Sequence, residues 1–524
     1  MEKIISLCLQ FSQKLIFHPL FLPLMLFVIL FYNSLSSKHG KFGKNLPPSP
    51  PKLPILGNLH QLGVLPHRSL QSLSRRYGKV MLLYFGSKPA LVVSSADAAE
   101  EVLKTNDSIF YNRPKLRNAT RIFNNGKDVA FSHSGEYWRR MRGICVMQLL
   151  HTKKVQSFRA IREEEVAEMV EKLNRSGCSE VNFAEIVLSF TYDVICRTSF
   201  GRKCSENHEG GINFKDRVDE AMKLLGTVFL GDFVPCLSWI DRVKGLESRL
   251  EKVVADLDVI LDKIVKEHQV HLSTKKNIVV ESENERNDRS FMDILLEVHM
   301  NNKHDMSLDS IKAVILDMFL AGTDTTYTLI EWVVIELIRN PRVMKELQEE
   351  VIKIVGGKGR KVCEDDLEKM SYLKAVMKEA LRLHPPGPLL VFHESIQDAK
   401  INGFDIAAGT LVIINAWAIQ TDSMYWEEPD LFRPERFLNR SSSDDFRGQD
   451  FRYIPFGAGR RGCPGISFGM VSAELVVATL INEFELKLPG GIQGDELDMT
   501  EVAGLTIHRR DPLMVIATPL KISS

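Results

Sequence analysis

The sequence has no net charge and no closely spaced pair of cysteines. Its 67 lysine and arginine residues balance 67 aspartate and glutamate residues over 524 positions. A chain without a basic excess gives no electrostatic reason to bind nucleic acid. The eight cysteines are scattered and no Cys-x-x-Cys occurs, which excludes the disulfide framework of a small secreted domain and argues against structural zinc. We therefore expect a reducing compartment for most of the chain and no nucleic-acid partner.

Long apolar runs are also scarce, and the exception lies near the N-terminus. The run Leu15–Tyr32 is apolar and about long enough to span the hydrocarbon core of a membrane. Lys38, Lys41 and Lys44 follow it, and this positive-inside bias places the rest of the chain in the cytosol. A cleaved secretory signal is the alternative, since small residues follow the run. We expect residues 1–44 to be a retained, single-pass membrane anchor with a basic flank.

The remaining chain shows no internal repeat and no low-complexity tract, and we predict a short hinge followed by one large domain. Residues 45–57 contain five prolines, which exclude a helix and favour a stiff, extended hinge. Residues 58–524 have the composition of a globular protein with ample material for a core. They are predicted to form a single catalytic domain.

Helical periodicity dominates this domain. From Ala96 to about Leu383 apolar residues recur mostly at helical spacing. Residues 79–95 hold two β-rich runs around a Gly-Ser-Lys-Pro turn, which is typical of a hairpin. The polar stretch 273–290 is interpreted as a mobile surface connection. The pattern predicts a mainly α fold with small β-sheets (α+β).

One cysteine lies in a glycine-rich loop. The stretch PFGAGRRGCPG, residues 455–465, surrounds Cys463 with four glycines, which free the backbone to turn tightly or approach a ligand. The adjacent Arg460 and Arg461 are expected to favour the thiolate form of Cys463, which is the form that binds metal. A single thiolate suits heme iron better than zinc, whose structural sites cluster their ligands. The alternative is a buried cysteine that only fills space.

A long apolar segment predicts a helix through the core. It starts with Ser307 as N-cap and stops at Asn340, before Pro341, giving roughly 32 residues or about 48 Å. Its middle, AGTDTT at residues 321–326, contains poor helix formers and an acid, Asp324, whose burial is costly. This composition predicts a groove lined by hydroxyl groups and a carboxyl group. The alternative, equally open, is that the threonines donate to carbonyls of the preceding turn.

Two further motifs bring charged and aromatic side chains together on helices. Glu379 and Arg382 can pair at a spacing of three, with Arg436 as a candidate third member, although most such pairs are solvated surface pairs. Trp138 and Arg142 share one helical face, where an indole N–H beside a guanidinium suits an anionic group. A basic surface helix anchored by Trp138 is the alternative. Neither motif decides a function by itself.

Taken together, these motifs resemble the cytochrome P-450 family of heme-thiolate monooxygenases, and they occur in the family's order. The loop Phe-x-x-Gly-x-Arg-x-Cys-x-Gly, the AGTDTT helix, the Glu-x-x-Arg pair and the Trp-x-x-x-Arg element all match. The proline-rich segment and DIAAGTLVIINAWAIQTD are most similar to plant microsomal enzymes of family seventy-one, which act in specialised metabolism. The resemblance implies the cytochrome P-450 fold, with heme b between the long central helix and the loop that carries Cys463.

The resemblance also implies roles for individual residues. Asp324 and Thr325 are the expected catalytic residues, which would relay protons during oxygen activation, while Ala321 and Gly322 would leave room for dioxygen. Cys463 is expected to be the axial ligand of the heme iron. The residues expected to bind heme are Trp138, Arg142, His393, Phe456, Arg461 and Cys463.

His393 departs from the family's pattern. Relatives commonly carry the sequence PRES where this chain has FHES, so His393 occupies the position of an arginine that binds a heme propionate. A histidine can donate there, and we expect its charge to depend on pH. Glu379, Arg382 and Arg436 are expected to be structural.

Partners and location follow from the same resemblance. The chain has no recognisable dinucleotide or flavin motif, so its electrons would come from NADPH-cytochrome P-450 reductase, a membrane protein. The enzyme would be held in the endoplasmic reticulum membrane with its catalytic domain in the cytosol. A basic patch for the reductase's acidic surface is expected, with a solvated basic face as the alternative. Its residues would be Arg139, Arg140, Lys153, Lys154 and Arg460.

The expected substrates are O2 and a hydrophobic small molecule, such as a terpenoid or a phenolic compound of the coumarin type. The family's pocket positions are mainly apolar here, and composition does not select one compound or one position of attack. They are residues 117–123, 319–325, 388–391 and 501–506.

Two other functions remain open from the sequence. Some relatives dehydrate or isomerise aldoximes or hydroperoxides on heme without external electrons. A membrane-tethered protein that only binds heme is a second alternative, from a different class. The pair Asp324 and Thr325 favours the monooxygenase, because the other two functions do not require proton delivery to reduced oxygen.

Overall fold

The computed structural model describes residues 45–177, 179–204, 213–276, 289–301, 306–356, 360–438 and 448–520. The expected membrane anchor and its basic flank, residues 1–44, lie outside the described residues. So does most of the polar stretch 273–290, although its first four residues continue a helix that ends at Lys276 rather than forming a loop.

Helices make up most of the described chain, as predicted. Amphipathic helices form the outer layer, and helices that are apolar on most faces lie inside. The α-helices are α1 (Pro66–Tyr77), α2 (Ala96–Glu100), α3 (Asp107–Phe110), α4 (Arg117–Ile122), α5 (Glu136–Ile144), α6 (Thr152–Ser157), α7 (Arg159–Arg175), α8 (Phe183–Phe200), α9 (Phe214–Leu225), α10 (Leu230–Phe233), α11 (Ser238–Val243), α12 (Leu246–Lys276), α13 (Phe291–Asn301), α14 (Leu308–Arg339), α15 (Pro341–Val355), α16 (Glu364–Leu367), α17 (Ser371–Leu383), α18 (Ala416–Gln420) and α19 (Ile466–Glu483).

The strands form small sheets at the edges of this helical body. The largest sheet has the order β1-β2-β7-β4, a second has the order β3-β11-β8, and the remaining strands pair as β5-β6 and β9-β10. The strands are β1 (Val80–Phe85), β2 (Lys88–Val93), β3 (Glu180–Asn182), β4 (His393–Glu394), β5 (Ala399–Ile401), β6 (Phe404–Ile406), β7 (Leu411–Ile414), β8 (Phe484–Lys487), β9 (Glu501–Val502), β10 (His508–Arg509) and β11 (Met514–Pro519).

The predicted hairpin is confirmed. Strands β1 and β2 pair antiparallel, with Phe85 opposite Lys88 across a two-residue turn. Gly86 in that turn has φ +60°, a left-handed conformation that favours glycine. β7 then pairs parallel to β2 and carries β4, with His393, on its other side.

The predicted central helix is also confirmed, with its bounds. Helix α14 has 32 residues, and the Ser307 side chain caps it by accepting from the backbone N–H of Ser310 at 3.1 Å. The helix ends before Pro341, where the next helix begins. It packs against α8, α17 and α19, and most of its side chains are buried. The helix therefore crosses the core and can line an internal site along its length.

The proline-rich segment is hydrogen-bonded to the sheets. The backbone N–H of Asn45 donates to the side-chain carboxylate of Asp405 at 3.1 Å, and the N–H of Asp405 in β6 donates to the carbonyl oxygen of Asn45 at 2.7 Å. The N–H of Leu82 in β1 donates to the carbonyl oxygen of Pro48 at 2.9 Å. The Asn58 amide donates to Pro51 at 3.2 Å. The segment thus straps β6 to β1.

One described helix, α19, is long and apolar enough to cross a membrane, and the bent pair Phe214–Phe233 and Pro235–Val243 passes the same test together. Because 67% of the apolar stretch of α19 is buried within the fold, its apolar surface is explained by the core.

Cys196 and Cys204 form a disulfide at the end of α8, with their Cα atoms 5.9 Å apart. Their spacing in the sequence did not predict this pair, and it differs from the expectation of reduced cysteines.

Candidate active site

A cavity lies between the central helix α14 and the loop that carries Cys463. Most of its lining is apolar. The central helix contributes Asp317, Ala321, Gly322, Thr325, Thr326 and Leu329. The opposite wall contains Phe456, Cys463, Gly465 and Phe468. The structure therefore brings the two strongest sequence motifs, the cysteine loop and AGTDTT, to one cavity.

The side chain of Cys463 is exposed where it lines this cavity, and protein atoms surround it on the other sides. Burial raises the pKa of the thiol above its ordinary value, whereas the N–H of Gly465 and the charge of Arg142 lower it. The backbone N–H of Cys463 donates to the carbonyl oxygen of Phe456 at 2.9 Å, which closes the loop. Phe456 itself lines the cavity beside the sulfur. A cation near the sulfur would favour the thiolate.

Gly459 is required by the shape of this loop. It has φ +67°, and a Cβ atom there would overlap the carbonyl oxygen of Leu103. Gly457 has the same φ of +67°, but the nearest atom to its Cβ would be Leu390 Cδ1 at 3.8 Å. Both glycines have the left-handed backbone conformation, but only at Gly459 would a side chain also overlap a neighbouring atom.

Alanine at Gly459 is expected to destabilise the loop far more than alanine at Gly457. A left-handed alanine costs about 1–2 kcal/mol, which is the expected effect of Gly457→Ala. Gly459→Ala adds the overlap with Leu103, for a total on the order of 4 kcal/mol. Chemical denaturation of the two variants measures the difference. Equal losses would show that the contact with Leu103 relaxes without cost.

The expectation that Arg460 and Arg461 promote the thiolate is wrong. Arg460 pairs with Asp107 at 3.2 Å. The buried Arg461 guanidinium donates to the carbonyl oxygens of Tyr111, Val129 and Ser132 at 2.7–3.0 Å. Burial lowers the pKa of Arg461 to about 10. The arginine that acts on Cys463 is Arg142.

Trp138 and Arg142 lie next to Arg461, and the resemblance had implied that these three residues act together. The Arg461 guanidinium carbon lies 4.0 Å from the centre of the Trp138 ring, whose Nε1–H donates to Val129 at 3.1 Å. Arg142 donates to the carbonyl oxygen of Gly462 in the cysteine loop. Helix α5 thus positions one aromatic and one cationic side chain against this loop.

Arg113 belongs to the same cluster, and sequence reasoning missed it. Its buried guanidinium donates to Ala130, Val391 and Phe392 at 2.6–2.9 Å. Burial, and then the charge of Arg461, lower its pKa well below the ordinary value. A lone arginine before a proline in a loop carries no signal that could have identified it.

His393 is neutral, which corrects the expectation that its charge depends on pH. Burial, and then the charge of Arg113, hold the pKa of His393 well below its ordinary range. Its Nδ1 lies 2.8 Å from the carbonyl oxygen of Phe110 and must donate, because a carbonyl only accepts. A neutral imidazole has one N–H, so Nε2 is an acceptor. His393 therefore does not donate to an anion as an arginine would.

The cluster carries a surplus of buried positive charge. Arg113, Arg142 and Arg461 converge, and the carboxylate that acts most strongly on Arg461 is Asp128. Asp128 is fully buried, its Oδ1 has no partner among the described residues, and burial raises its pKa to about 6. A buried cationic surplus calls for an anionic ligand. The two propionates of a heme fit this requirement, and the apolar cavity with an open thiol fits the rest of the cofactor.

Asp317 of the central helix also lines the cavity and was not predicted. Its Oδ2 accepts from the N–H of Val129 at 2.6 Å, which ties the loop that follows α4 to the helix. Burial, and then the neighbouring Asp128, raise the pKa of Asp317 well above its ordinary value. This environment therefore favours the protonated form of Asp317.

The structure separates Asp324 from Thr325. Thr325 lines the cavity, and its hydroxyl donates to the carbonyl oxygen of Ala321 at 2.6 Å, so the predicted back-bonding alternative is present. The Asp324 carboxylate faces Thr506 and His508 of the C-terminal segment instead. Thr506 was expected in the pocket, whereas His508 was not identified.

Gly322 has a packing reason that the sequence did not reveal. A Cβ atom at Gly322 would lie 2.8 Å from Cδ1 of Ile195 in α8, which also lines the cavity. The glycine therefore allows α8 to approach the central helix closely.

Part of the predicted pocket lies elsewhere. Phe319 does not line the cavity but packs in an aromatic cluster, with its ring 5.2 Å from Phe200 and 5.0 Å from Phe214. Arg117 pairs with Glu247 of α12. These residues shape the region behind the central helix.

The Glu379 and Arg382 pair is fully buried, not solvated. Arg382 holds Glu379 by two hydrogen bonds at 2.8 and 2.9 Å, and Arg436 joins Glu379 at 3.0 Å as predicted. Arg382 also donates to the carbonyl oxygens of Gln420 and Pro429 at 3.0 and 2.8 Å. The triad ties α17 to the segments that precede the cysteine loop.

The expected basic patch is smaller than predicted. Arg139 and Lys153 are exposed, but Lys154 is buried and donates to the carbonyl oxygen of Arg289 at 2.6 Å. Lys154 is therefore not available to a partner, and Arg460 is engaged with Asp107.

Known proteins resemble the chain over nearly its whole length. The family model for cytochrome P450 matches residues 47–513. Cytochrome P450 736A117 of Prunus mume is 48% identical over 504 residues, covering 95% of each chain. Cytochrome P450 71A6 of Nepeta racemosa is 50% identical over 489 residues, covering 91% of this chain and 94% of that protein.

Two further proteins are similar to the chain: a relative whose name states an activity, and a protein with a solved structure. The tabersonine/lochnericine 19-hydroxylase of Catharanthus roseus is 46% identical over 514 residues, covering 97% of this chain and 98% of that protein. A solved structure of zebra fish cytochrome P450 with abiraterone matches with a TM-score of 0.72 at 26% identity, covering 87% of this chain and all of that chain.

Proposed function

This chain belongs to the cytochrome P450 family, and we propose that it inserts one atom of O2 into a hydrophobic plant metabolite with electrons from a separate NADPH reductase. The family, its monooxygenase chemistry and its heme b cofactor follow from the match to family and relatives. The single observation that carries the proposal is the Cys463 thiol opening into an apolar cavity whose opposite wall is the AGTDTT helix. A thiolate donor on iron favours cleavage of the O–O bond.

The residues of the cavity would hold heme as follows. Cys463 Sγ would bind the iron, with Phe456 beside it, while Arg142, Arg461 and the previously unrecognised Arg113 would neutralise the propionates. Trp138 would support Arg461 through the cation–π contact between its indole ring and the Arg461 guanidinium. His393 would contribute shape, since its single N–H is already used by Phe110. Bound heme supplies the iron at which O2 is reduced, one oxygen atom going to the substrate and the other to water.

Thr325 and Asp324 are proposed to deliver the protons that this reduction consumes. The Thr325 hydroxyl reaches the cavity wall and retains acceptor capacity while it donates to Ala321. Asp324, one residue earlier, would pass a proton toward it from the far side of the helix. General acid catalysis of this kind contributes about 10²–10⁴-fold to a rate.

The substrate class rests on the lining and on the relatives. The cavity walls are apolar apart from a few hydroxyl groups, a thiol and Asp317, whose pKa is raised by burial. Relatives carry names such as 3-beta-hydroxylase and norfluorocurarine oxidase. Both observations favour a terpenoid, an alkaloid-like or a phenolic molecule. The anchor proposed in residues 1–44 would hold the enzyme in the endoplasmic reticulum membrane beside its reductase.

Turnover with labelled oxygen tests this function. The full chain in lipid vesicles with reductase, NADPH and ¹⁸O2 is offered a panel of apolar plant metabolites. We expect a product that gains one ¹⁸O atom and forms only with NADPH. Conversion of an aldoxime without NADPH would support the dehydratase instead, and heme-loaded protein that never turns over would support a heme-binding protein.

Reversing the charge of the exposed basic patch is expected to weaken reductase coupling. Arg139→Glu with Lys153→Glu should raise the reductase concentration for half-maximal turnover about tenfold at low salt. The difference should shrink as ionic strength rises, because exposed charges are screened. Lys252→Glu, on the exposed side of α12, is the matched control. An unchanged reductase dependence in the double variant would place the docking surface elsewhere.

A further inference from the structure

We propose that His508 and Thr506 form a proton-loading arm that recharges Asp324 from solvent. The inference rests on the proposed monooxygenase function and assigns two positioning residues to it. Both lie in the C-terminal segment, more than 180 residues from Asp324 in sequence, and the Asp324 carboxylate points to them rather than into the cavity.

The two side chains of the arm contact Asp324 and Thr328 of the central helix α14. His508 Nε2 lies 2.7 Å from Thr506 Oγ1 and 3.3 Å from Asp324 Oδ2, and Thr506 Oγ1 donates to the same carboxylate oxygen. On the other side of the ring, His508 Nδ1 lies 3.0 Å from Thr328 Oγ1. The Thr328 hydroxyl donates to the backbone carbonyl oxygen of Asp324 at 2.7 Å.

A doubly protonated ring satisfies every donor and acceptor in this arrangement. When the hydroxyl protons of Thr506 and Thr328 lie on Asp324, both hydroxyl oxygens accept from His508. Nδ1 and Nε2 both carry protons in that arrangement. This geometry describes an imidazolium facing a carboxylate through a bridging hydroxyl group.

Two proton shifts convert this state into a loaded Asp324. The Nε2–H bond of His508 breaks as its proton moves to Thr506 Oγ1, and the Thr506 hydroxyl proton moves to Asp324 Oδ2. Asp324 becomes a carboxylic acid, His508 becomes neutral and Thr506 is unchanged, so atoms and charge balance. After Asp324 gives up its proton, His508 takes the next one from water, since its side chain is 26% exposed.

The groups around His508 favour its protonated form. Burial alone lowers the pKa of His508, but the hydrogen bond and charge of Asp324, with Glu331, raise it above the ordinary value. Tyr327 stacks on the ring at 5.4 Å and donates to Glu331. Arg509 follows His508 on β10 and turns away, donating to the carbonyl oxygen of Asp498. From α9, Asp219 faces Asp324, whose charge adds to burial in raising the pKa of Asp219.

The arm predicts a distinctive pH dependence. Because the pKa of His508 is raised, its ring is protonated below that pKa and loses its proton as the pH rises through it. Product formed per NADPH should therefore fall on the alkaline side, with the lost electrons appearing as hydrogen peroxide. If His508 were purely structural, its replacement would lower stability but would not change how the product formed per NADPH depends on pH.

Two variants and a matched control test the arm in the reductase-coupled full chain. Thr506→Val removes the bridging hydroxyl group, and His508→Gln removes the titrating ring. Both should lower product per NADPH about tenfold near neutral pH, with a proportional rise in peroxide. His508→Gln should also abolish the alkaline fall. Thr500→Val, which removes an exposed hydroxyl that donates to Asp498 in the same segment, should match the parent.

A second measurement needs no turnover. Exchange of the His508 ring C2 hydrogen, followed by mass spectrometry, gives the pKa of this residue in the intact protein. We expect a raised pKa in the parent that falls in Asp324→Asn. A His508 pKa at or below the ordinary value, or coupling unchanged in both arm variants while the parent turns over, would overturn the arm. No turnover by the parent on any substrate would instead count against the proposed function.

Discussion

The Cys463→Ala variant should lose the red-shifted Soret band that the reduced, carbon-monoxide-treated parent shows. The thiol of Cys463 opens into the cavity opposite the central helix. The other free cysteines of the described chain, Cys145, Cys236 and Cys363, do not line it. No second thiolate among the described residues can replace the first, so monooxygenase turnover should fall to background with the band.

A cysteine elsewhere provides the control for this experiment. Cys236 is free and exposed, so Cys236→Ala should keep both the band and the turnover. Heme content is measured in parallel, which separates a lost ligand from a lost cofactor. A red-shifted band that persists in folded, heme-loaded Cys463→Ala protein would contradict the thiolate assignment and the function built on it.

Glu379→Gln is expected to destabilise the fold severely. The variant leaves the guanidinium groups of Arg382 and Arg436 buried beside a neutral amide, with no carboxylate to balance their charge. Removing one member of a buried ion pair costs about 3–5 kcal/mol. Much of the stability of a typical domain would be lost. Urea denaturation should show the loss directly, and the heme-loaded fraction should fall with it.

An exposed pair supplies the comparison. Glu171 and Arg175 pair on the surface of α7, where both side chains are more than half exposed. Glu171→Gln should therefore change the free energy of unfolding by less than about 1 kcal/mol. A similarly small change in Glu379→Gln would mean that solvent or a rearranged partner compensates the two arginines.

Local patterns predicted the elements that depend on neighbours in sequence. The cap at Ser307, the stop at Pro341 and the hairpin turn at Gly86 each act within a few residues, and the structure has all three where they were expected. The convergence of the cysteine loop on the central helix could be predicted only because the motifs resemble a known family. Composition and spacing alone do not bring two distant segments together.

The failed predictions depend on contacts between distant segments. Arg461 was expected to act on the neighbouring thiol, but carbonyl groups of the loop after α3 and of residues 129–132 draw its guanidinium away. The charge of His393 was expected to depend on pH, but burial, and then the charge of Arg113 nearly three hundred residues earlier in the sequence, lower its pKa. The contact between His508 and Asp324 was not predicted for the same reason, because these residues are also far apart in the sequence. Side-chain direction and burial decide these cases, and the type of a residue alone predicts neither.

The attachment of residues 45–57 to two sheets has a mechanical consequence. Asn45 is hydrogen-bonded to β6 and Pro48 to β1, so the described chain is fixed to the folded domain from its first residue. A pull on the chain at Asn45 is therefore passed to two sheets at once rather than to a free tail. The described chain begins on the side of the molecule that carries β1 and β6, and the cavity has a fixed position relative to that side.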